Sequence, residues 1–144
     1  MKLIETIYSH WNNTGKFVIV TGDFNVVHKR IDVWKKPDEN ASCFTLFERH
    51  SFDKYLRMGF SDTFRELNPT EVNFTKWNTT SLRMRPLNLG FRLDYILAWK
   101  ELMPAITSSE IHNLFKGSDH WPILLRVNTK ELHNLVKAKN ELHV

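Results

Sequence analysis

The chain has 144 residues, 42% of them hydrophobic and 25% charged, with a formal net charge of +4 at pH 7. That length fits one domain with its own core, and the composition is that of a soluble globular protein rather than a disordered or fibrous one. No apolar run approaches the roughly 18–20 residues of a membrane span, and the first residues do not read as a signal peptide, so no membrane partner is expected.

One cysteine, Cys43, excludes an internal disulfide and suits a reducing, intracellular setting. The pI near 9.3 suits a polyanionic partner, although a mildly basic enzyme would have the same value.

In chain order, Leu3, Ile4, Ile7 and Trp11 stand at helical spacing, and Asn12 to Gly15 reads as the stop. The short apolar run Lys16-Phe17-Val18-Ile19-Val20 predicts a buried strand. From Gly22 to Cys43 the pattern dissolves into a long polar connection, of a kind that is often functional in compact domains. Thr45-Leu46-Phe47-Glu48 has the form of a capping box, and Gly59 is a natural stop, so a helix is predicted between them.

Strands are predicted at Val72–Trp77, Phe91–Trp99, Ile106–His112 and Pro122–Val127, and a mostly polar helix from Asn128 to Leu142. Strands are often adjacent in sequence rather than alternating with helices. That favours an α+β or sheet-sandwich arrangement over a doubly wound parallel sheet.

Three short constellations could carry chemistry. Gly22-Asp23-Phe24-Asn25 follows the first strand. An extended backbone would aim Asp23 and Asn25 to one side and Phe24 into the core, a pairing that suits a hard cation or a phosphate. A strand-end Asx turn is the plain structural alternative. In Asn88-Leu89-Gly90-Phe91-Arg92-Leu93-Asp94-Tyr95, alternation puts Phe91, Leu93 and Tyr95 on one face and Arg92 with Asp94 on the other. A surface Arg–Asp pair would be worth little, whereas a buried Asp94 would need a partner, which an imidazole can be. Gly117-Ser118-Asp119-His120 sets a carboxylate beside a histidine, which can be held in one tautomer and poised near neutral pH.

These three constellations, in this order and each at a strand end, resemble the exonuclease III / apurinic-apyrimidinic endonuclease branch of the endonuclease/exonuclease/phosphatase superfamily. The resemblance extends through His28, Ile31-Asp32, Asn40, Phe44, Glu48-Arg49, Asp62-Thr63-Phe64-Arg65, Phe74-Thr75 and Trp77. It covers residues 1–127, which it identifies as the C-terminal half of the superfamily domain, a four-layered α/β sandwich. Residues 128–144 would be a helical extension.

The resemblance implies a metal-dependent phosphodiester hydrolase acting on DNA in base excision repair, of the abasic-site endonuclease or 3′–5′ exonuclease type. Its cofactor would be Mg²⁺, with Mn²⁺ as a substitute, and its partner double-stranded DNA with abasic sites. The setting would be the nucleus in a eukaryote, or the cytoplasm and nucleoid in a prokaryote. Asp23 would handle proton transfer and Asn25 would orient the phosphate. His120 would contact the scissile phosphate, with its ring held by Asp94. Asp23, Asn25, Asp119 and His120 would surround the metal. Asn40, Lys76, Trp77, Phe91, Arg92 and Leu93 would meet DNA, Phe91 and Leu93 as walls of the pocket for an extruded abasic sugar.

The chain also departs from the family. Met1 falls where the family has the last helix before the Gly-Asp-x-Asn strand, so the motifs of the N-terminal half are missing. The metal site would be incomplete, and an apolar face would be left for a separate N-terminal half or a second copy to cover. Lys76 stands where an aromatic is usual, Phe91 where tryptophan is common, Cys43 where glycine is common, and Trp121 where a small residue is usual. Two further readings follow: a catalytically inactive DNA- or partner-binding remnant, and a phosphatase or phospholipase of the same superfamily.

Overall fold

The computed structural model describes residues 5–7, 9, 10, 14, 16–77, 87–113 and 117–141. Two antiparallel sheets make the frame. β1 (Ile19–Asp23) and β2 (Phe60–Asp62) flank β3 (Asp94–Trp99) in the order β1-β3-β2, while β4 (Ile106–Ile111) pairs with β5 (Ile123–Val127). The helices are α1 (Leu46–Arg57), α2 (Thr63–Leu67) and α3 (Thr129–Glu141), with 3-10 turns at Arg30–Asp32 and Lys100–Ala105. The arrangement is mixed α+β.

The predicted capping box opens α1. The Glu48 amide donates to Thr45 Oγ1 at 3.2 Å, and the Thr45 amide donates back to Glu48 Oε2 at 2.9 Å. Gly59, at φ +105°, accepts the left-handed backbone that ends the helix. Asn128 caps α3 by accepting from the Lys130 and Glu131 amides. Leu132 and Leu135 of α3 then pack against Ala98, Leu102, Ala105 and Ile106.

Several predicted bounds move. The first strand starts at Ile19 and runs on through Asp23. The third begins only at Asp94, because Phe91 bridges to Val33 and Lys76, outside the named strands. The predicted strand Val72–Trp77 is instead irregular, with a bend at Thr75 and isolated bridges only at Lys76. In the first segment Glu5–Ile7, Ser9, His10 and Thr14 are helical, and most of the predicted Asn12–Gly15 stop lies outside the described residues. Leu3, Ile4 and Trp11 of that predicted helix lie outside them too.

The core under β1 and β3 gathers Phe52, Phe60, Tyr95, Leu97 and Trp99, with Phe24 packed against it as its position predicts. Burial pushes the Tyr95 phenol up, so it stays a neutral hydroxyl. It donates to the Val26 carbonyl at 2.7 Å and accepts from the His28 amide at 3.2 Å, tying the loop after β1 to β3.

Arg92 corrects a prediction. It is neither on a strand face beside Asp94 nor available to DNA, because it is completely buried. Its Nε and Nη2 donate to Asp32 at 2.8 and 3.0 Å, and its Nη1 and Nη2 donate to Asp62 at 3.0 and 2.6 Å. Tyr95 stacks under the guanidinium at 4.3 Å. Asp32 also accepts from Arg65 Nη2 at 2.8 Å and the Lys29 amide at 3.0 Å. The planar fork of a guanidinium can meet each of two carboxylates through paired N–H donors, a geometry an ammonium does not offer.

This network sets an acid limit. Burial alone would push the Asp32 carboxyl up, but Arg92 and Arg65 outweigh it and hold the group below its ordinary value. A depressed folded value stabilises fully above the unfolded value of about 3.9, and that stabilisation is lost as pH falls through the folded one. Urea midpoints are expected to hold steady down to about pH 4 and then fall. A midpoint that declines evenly from neutral pH would contradict this account.

Candidate active site

The candidate residues meet where β1 ends and β3 begins. Antiparallel pairing sets Asp23 directly across from Asp94. Two carboxylates opposite one another on a sheet repel unless something positive or hydrogen-bonding lies between them. His120 fills that role: its Nδ1 is 2.7 Å from Asp94 Oδ2, and its Nε2 is 3.9 Å from Asp23 Oδ2. The Asp94 carboxylate thus fixes the ring and leaves Nε2 facing Asp23 and the open side. All three side chains are partly accessible, at 14% for Asp94, 26% for His120 and 34% for Asp23.

The backbone explains why the ring stands there. The Trp121 amide donates to the Thr75 carbonyl at 2.8 Å, and the Trp77 amide to the Asp119 carbonyl at 3.2 Å, stitching the β4–β5 connection to residues 75–77. Thr75 Oγ1 accepts both the Leu93 and Asp94 amides at 3.0 Å and so anchors the start of β3. Trp77 and Trp121 pack with ring centroids 3.9 Å apart behind the site. Gly90 passes so close that an added Cβ would lie 2.4 Å from the Lys76 carbonyl oxygen, and only glycine fits.

Asn25 departs from the predicted geometry. The strand stops at Asp23, Asn25 adopts φ +50°, and its amide donates to Asp23 Oδ1 at 2.8 Å. The local form is therefore the Asx turn, and Asn25 sits at a left-handed corner rather than on an extended strand. Cys43 also adopts a left-handed conformation, φ +68°, which glycine takes more readily.

The residues expected at DNA divide. Asn40 is exposed in a turn, its amide bonded to Asp38 Oδ1 at 2.8 Å. Phe91 is half-buried, packing on the cluster of Val27, Val33, Phe44 and Leu93. Trp77 and Leu93 are buried rather than presented to DNA, and Arg92 belongs to the core.

Lys76 is engaged: its Nζ hydrogen-bonds the Asp119 carboxylate. That bond holds the Asp119 carboxyl below its ordinary value. Neither this pair nor the Thr75 anchor has a signal in sequence spacing, since each joins segments far apart in the chain.

The donor set expected for a divalent cation does not close. Among the described residues no three His, Cys, Asp or Glu side chains converge on a point that could hold a metal ion. Asp119 is turned to Lys76, Asp94 is committed to His120, and Asp23 Oδ1 is taken by the Asn25 amide.

Comparison with known proteins gives a consistent picture. The endonuclease/exonuclease/phosphatase family matches residues 7–120. The DNA repair nuclease APEX1 of Danio rerio is 42% identical over 113 residues, which are 76% of this chain and 36% of that protein. The exodeoxyribonuclease of Bacillus subtilis is 35% identical over 114 residues, 78% of this chain and 45% of that protein. Among solved structures, the catalytic domain of Xenopus laevis APE2 superposes with a TM-score of 0.76 at 30% identity, covering 88% of this chain and 41% of that one. The chain therefore spans less than half the length of each of these relatives.

Proposed function

Because this chain belongs to the endonuclease/exonuclease/phosphatase family, in its exonuclease III/AP endonuclease branch, we propose that it carries one side of a phosphodiester-hydrolysing site for DNA. In this reading residues 1–127 are the C-terminal half of the family's four-layered sandwich and residues 128–144 an appended helix. The observation that carries the proposal is the Asp94–His120–Asp23 row.

A scissile phosphate would enter beside His120 Nε2, which donates to a phosphate oxygen when protonated. Asp94 accepts from Nδ1 and keeps the ring from turning away. Asp23, the nearest carboxylate to Nε2, accepts a proton from an attacking water or shares one with the leaving oxygen. The Asn25 carboxamide offers N–H donors to a non-bridging oxygen. The half-buried Phe91 would offer an apolar wall to an abasic sugar.

The family is typically metal-dependent, and a bound Mg²⁺ or Mn²⁺ neutralises phosphate charge. The ligands among the described residues do not form that centre, and the proton and phosphate roles of Asp23, Asn25, Asp94 and His120 stand without it. Apolar side chains left in water, Ile19 on β1 and Leu46 and Phe47 on α1, are surface that a separate N-terminal half or a second copy would cover.

Amide NMR shifts on adding an abasic-site duplex test this placement. The largest are expected at Asn25, Asp94 and His120, with binding that weakens steeply as salt rises. Shifts confined to α3 or to the Lys35–Asn40 loop would overturn it. The Lys76–Asp119 pair favours a second reading, a remnant that binds DNA without cutting it, because a carboxylate expected at the reaction centre is already neutralised.

A further inference from the structure

Lys76 stands where nothing in the local pattern calls for a charge, yet the fold holds it firmly. Its amide donates to the Phe91 carbonyl at 2.8 Å, and its own carbonyl accepts the Phe91 amide at 2.9 Å. On its other side it bridges to His120. Gly90 packs against it so closely that an added Cβ would lie 2.4 Å from the Lys76 carbonyl oxygen. The root of the side chain is therefore fixed against the Asp119–His120 connection, and its Nζ reaches the Asp119 carboxylate.

Asp23, Asp94 and Asp119 bring three carboxylates to one end of the sheets. Among the described residues no trio of side chains is arranged to receive a metal there. A hard divalent cation needs several free oxygen ligands, and a fixed ammonium beside the one on offer repels it.

We propose that the Lys76 ammonium is a built-in cation of this site, occupying the Asp119 carboxylate so that a divalent ion binds here only weakly. The proposal rests on the reading above only in calling this place the phosphate site; the ion balance itself is independent of any reaction. Lys76 is then a tuning residue, setting how much divalent ion the site needs.

Mn²⁺ binding to the full chain, followed by the electron paramagnetic resonance signal of free Mn²⁺, tests this without DNA or turnover. Removing a unit positive charge about 4 Å from a bound ion is expected to tighten binding by about tenfold or more in Lys76→Met and in Lys76→Gln. Lys76→Arg is expected to stay at the weak parental level. The gain is expected to vanish in the Lys76→Met/Asp119→Asn double variant. Thermal melts matched to the parent establish that each chain is folded, and Lys76→Gln carries the test if Lys76→Met is not. Equal affinity in the parent and the neutral variants would overturn the proposal, as would a gain that survives Asp119→Asn. Either result leaves the DNA-placement experiment untouched, so the two readings fail separately.

Discussion

Replacing Arg92 with leucine is expected to destabilise the fold by about 3–5 kcal/mol, because Asp62 would be left buried without a counter-charge and Asp32 with Arg65 alone. Among the described residues the Arg92 guanidinium is the one side chain that meets both carboxylates, and it joins the 3-10 turn at Arg30–Asp32 to the N-cap of α2. Of the two carboxylates the Arg65 guanidinium meets Asp32, at 2.8 Å, and its backbone amide donates to Asp62 Oδ1 at 3.3 Å. The loss is read as a fall in the urea midpoint with an unchanged slope. Arg92→Lys is expected to fall between, since an ammonium keeps the charge and loses the fork. A change under about 1 kcal/mol in the leucine variant would mean that water reaches these carboxylates.

The second large effect is catalytic. Asp94→Asn keeps the size of the side chain and loses the carboxylate that fixes the His120 ring. In a chimera where this chain replaces the aligned part of the Bacillus subtilis exodeoxyribonuclease, the substitution is expected to lower the single-turnover cutting rate by about 10²–10⁴-fold. Duplex affinity and melting temperature should change little, because Asp94 is partly exposed and its amide bond to Thr75 does not involve the side chain. Loss of affinity in step with rate would instead make Asp94 a binding or folding residue.

The sequence reveals the helix and hairpin signals best where a side chain acts on its own neighbours. The Thr45–Glu48 box, the Gly59 stop and the Asn128 cap are local chemistry and stand where spacing places them. The partnership of Asp94 with His120 follows from the family's motif order and from the need of a partly desolvated carboxylate for a partner. The short β2 and α2 carry too few residues to show a period, and they are visible only as the Asp62–Arg65 motif.

Arg92 misleads because alternation assigns faces as if residues 91–93 were already in the strand. Those residues pair instead with Val33, Thr75 and Lys76, which turns the Arg92 side chain inward. Asn25 misleads for a related reason, since the strand ends one turn earlier than an extended reading assumes. The Lys76–Asp119 pair spans 43 positions, a separation at which spacing says nothing and only the fold decides.

The most direct test of the central claim, that Asp94, His120 and Asp23 form the working side of a DNA phosphodiesterase, is strand cleavage by the same chimera. The substrate is a duplex with one abasic site, supplied with saturating Mn²⁺ so that weak ion binding does not limit the outcome. The account predicts a nick at the abasic site that disappears when His120 is replaced by alanine. A folded chimera that binds the duplex and leaves the strand intact, or one that cuts equally well without His120, would contradict it.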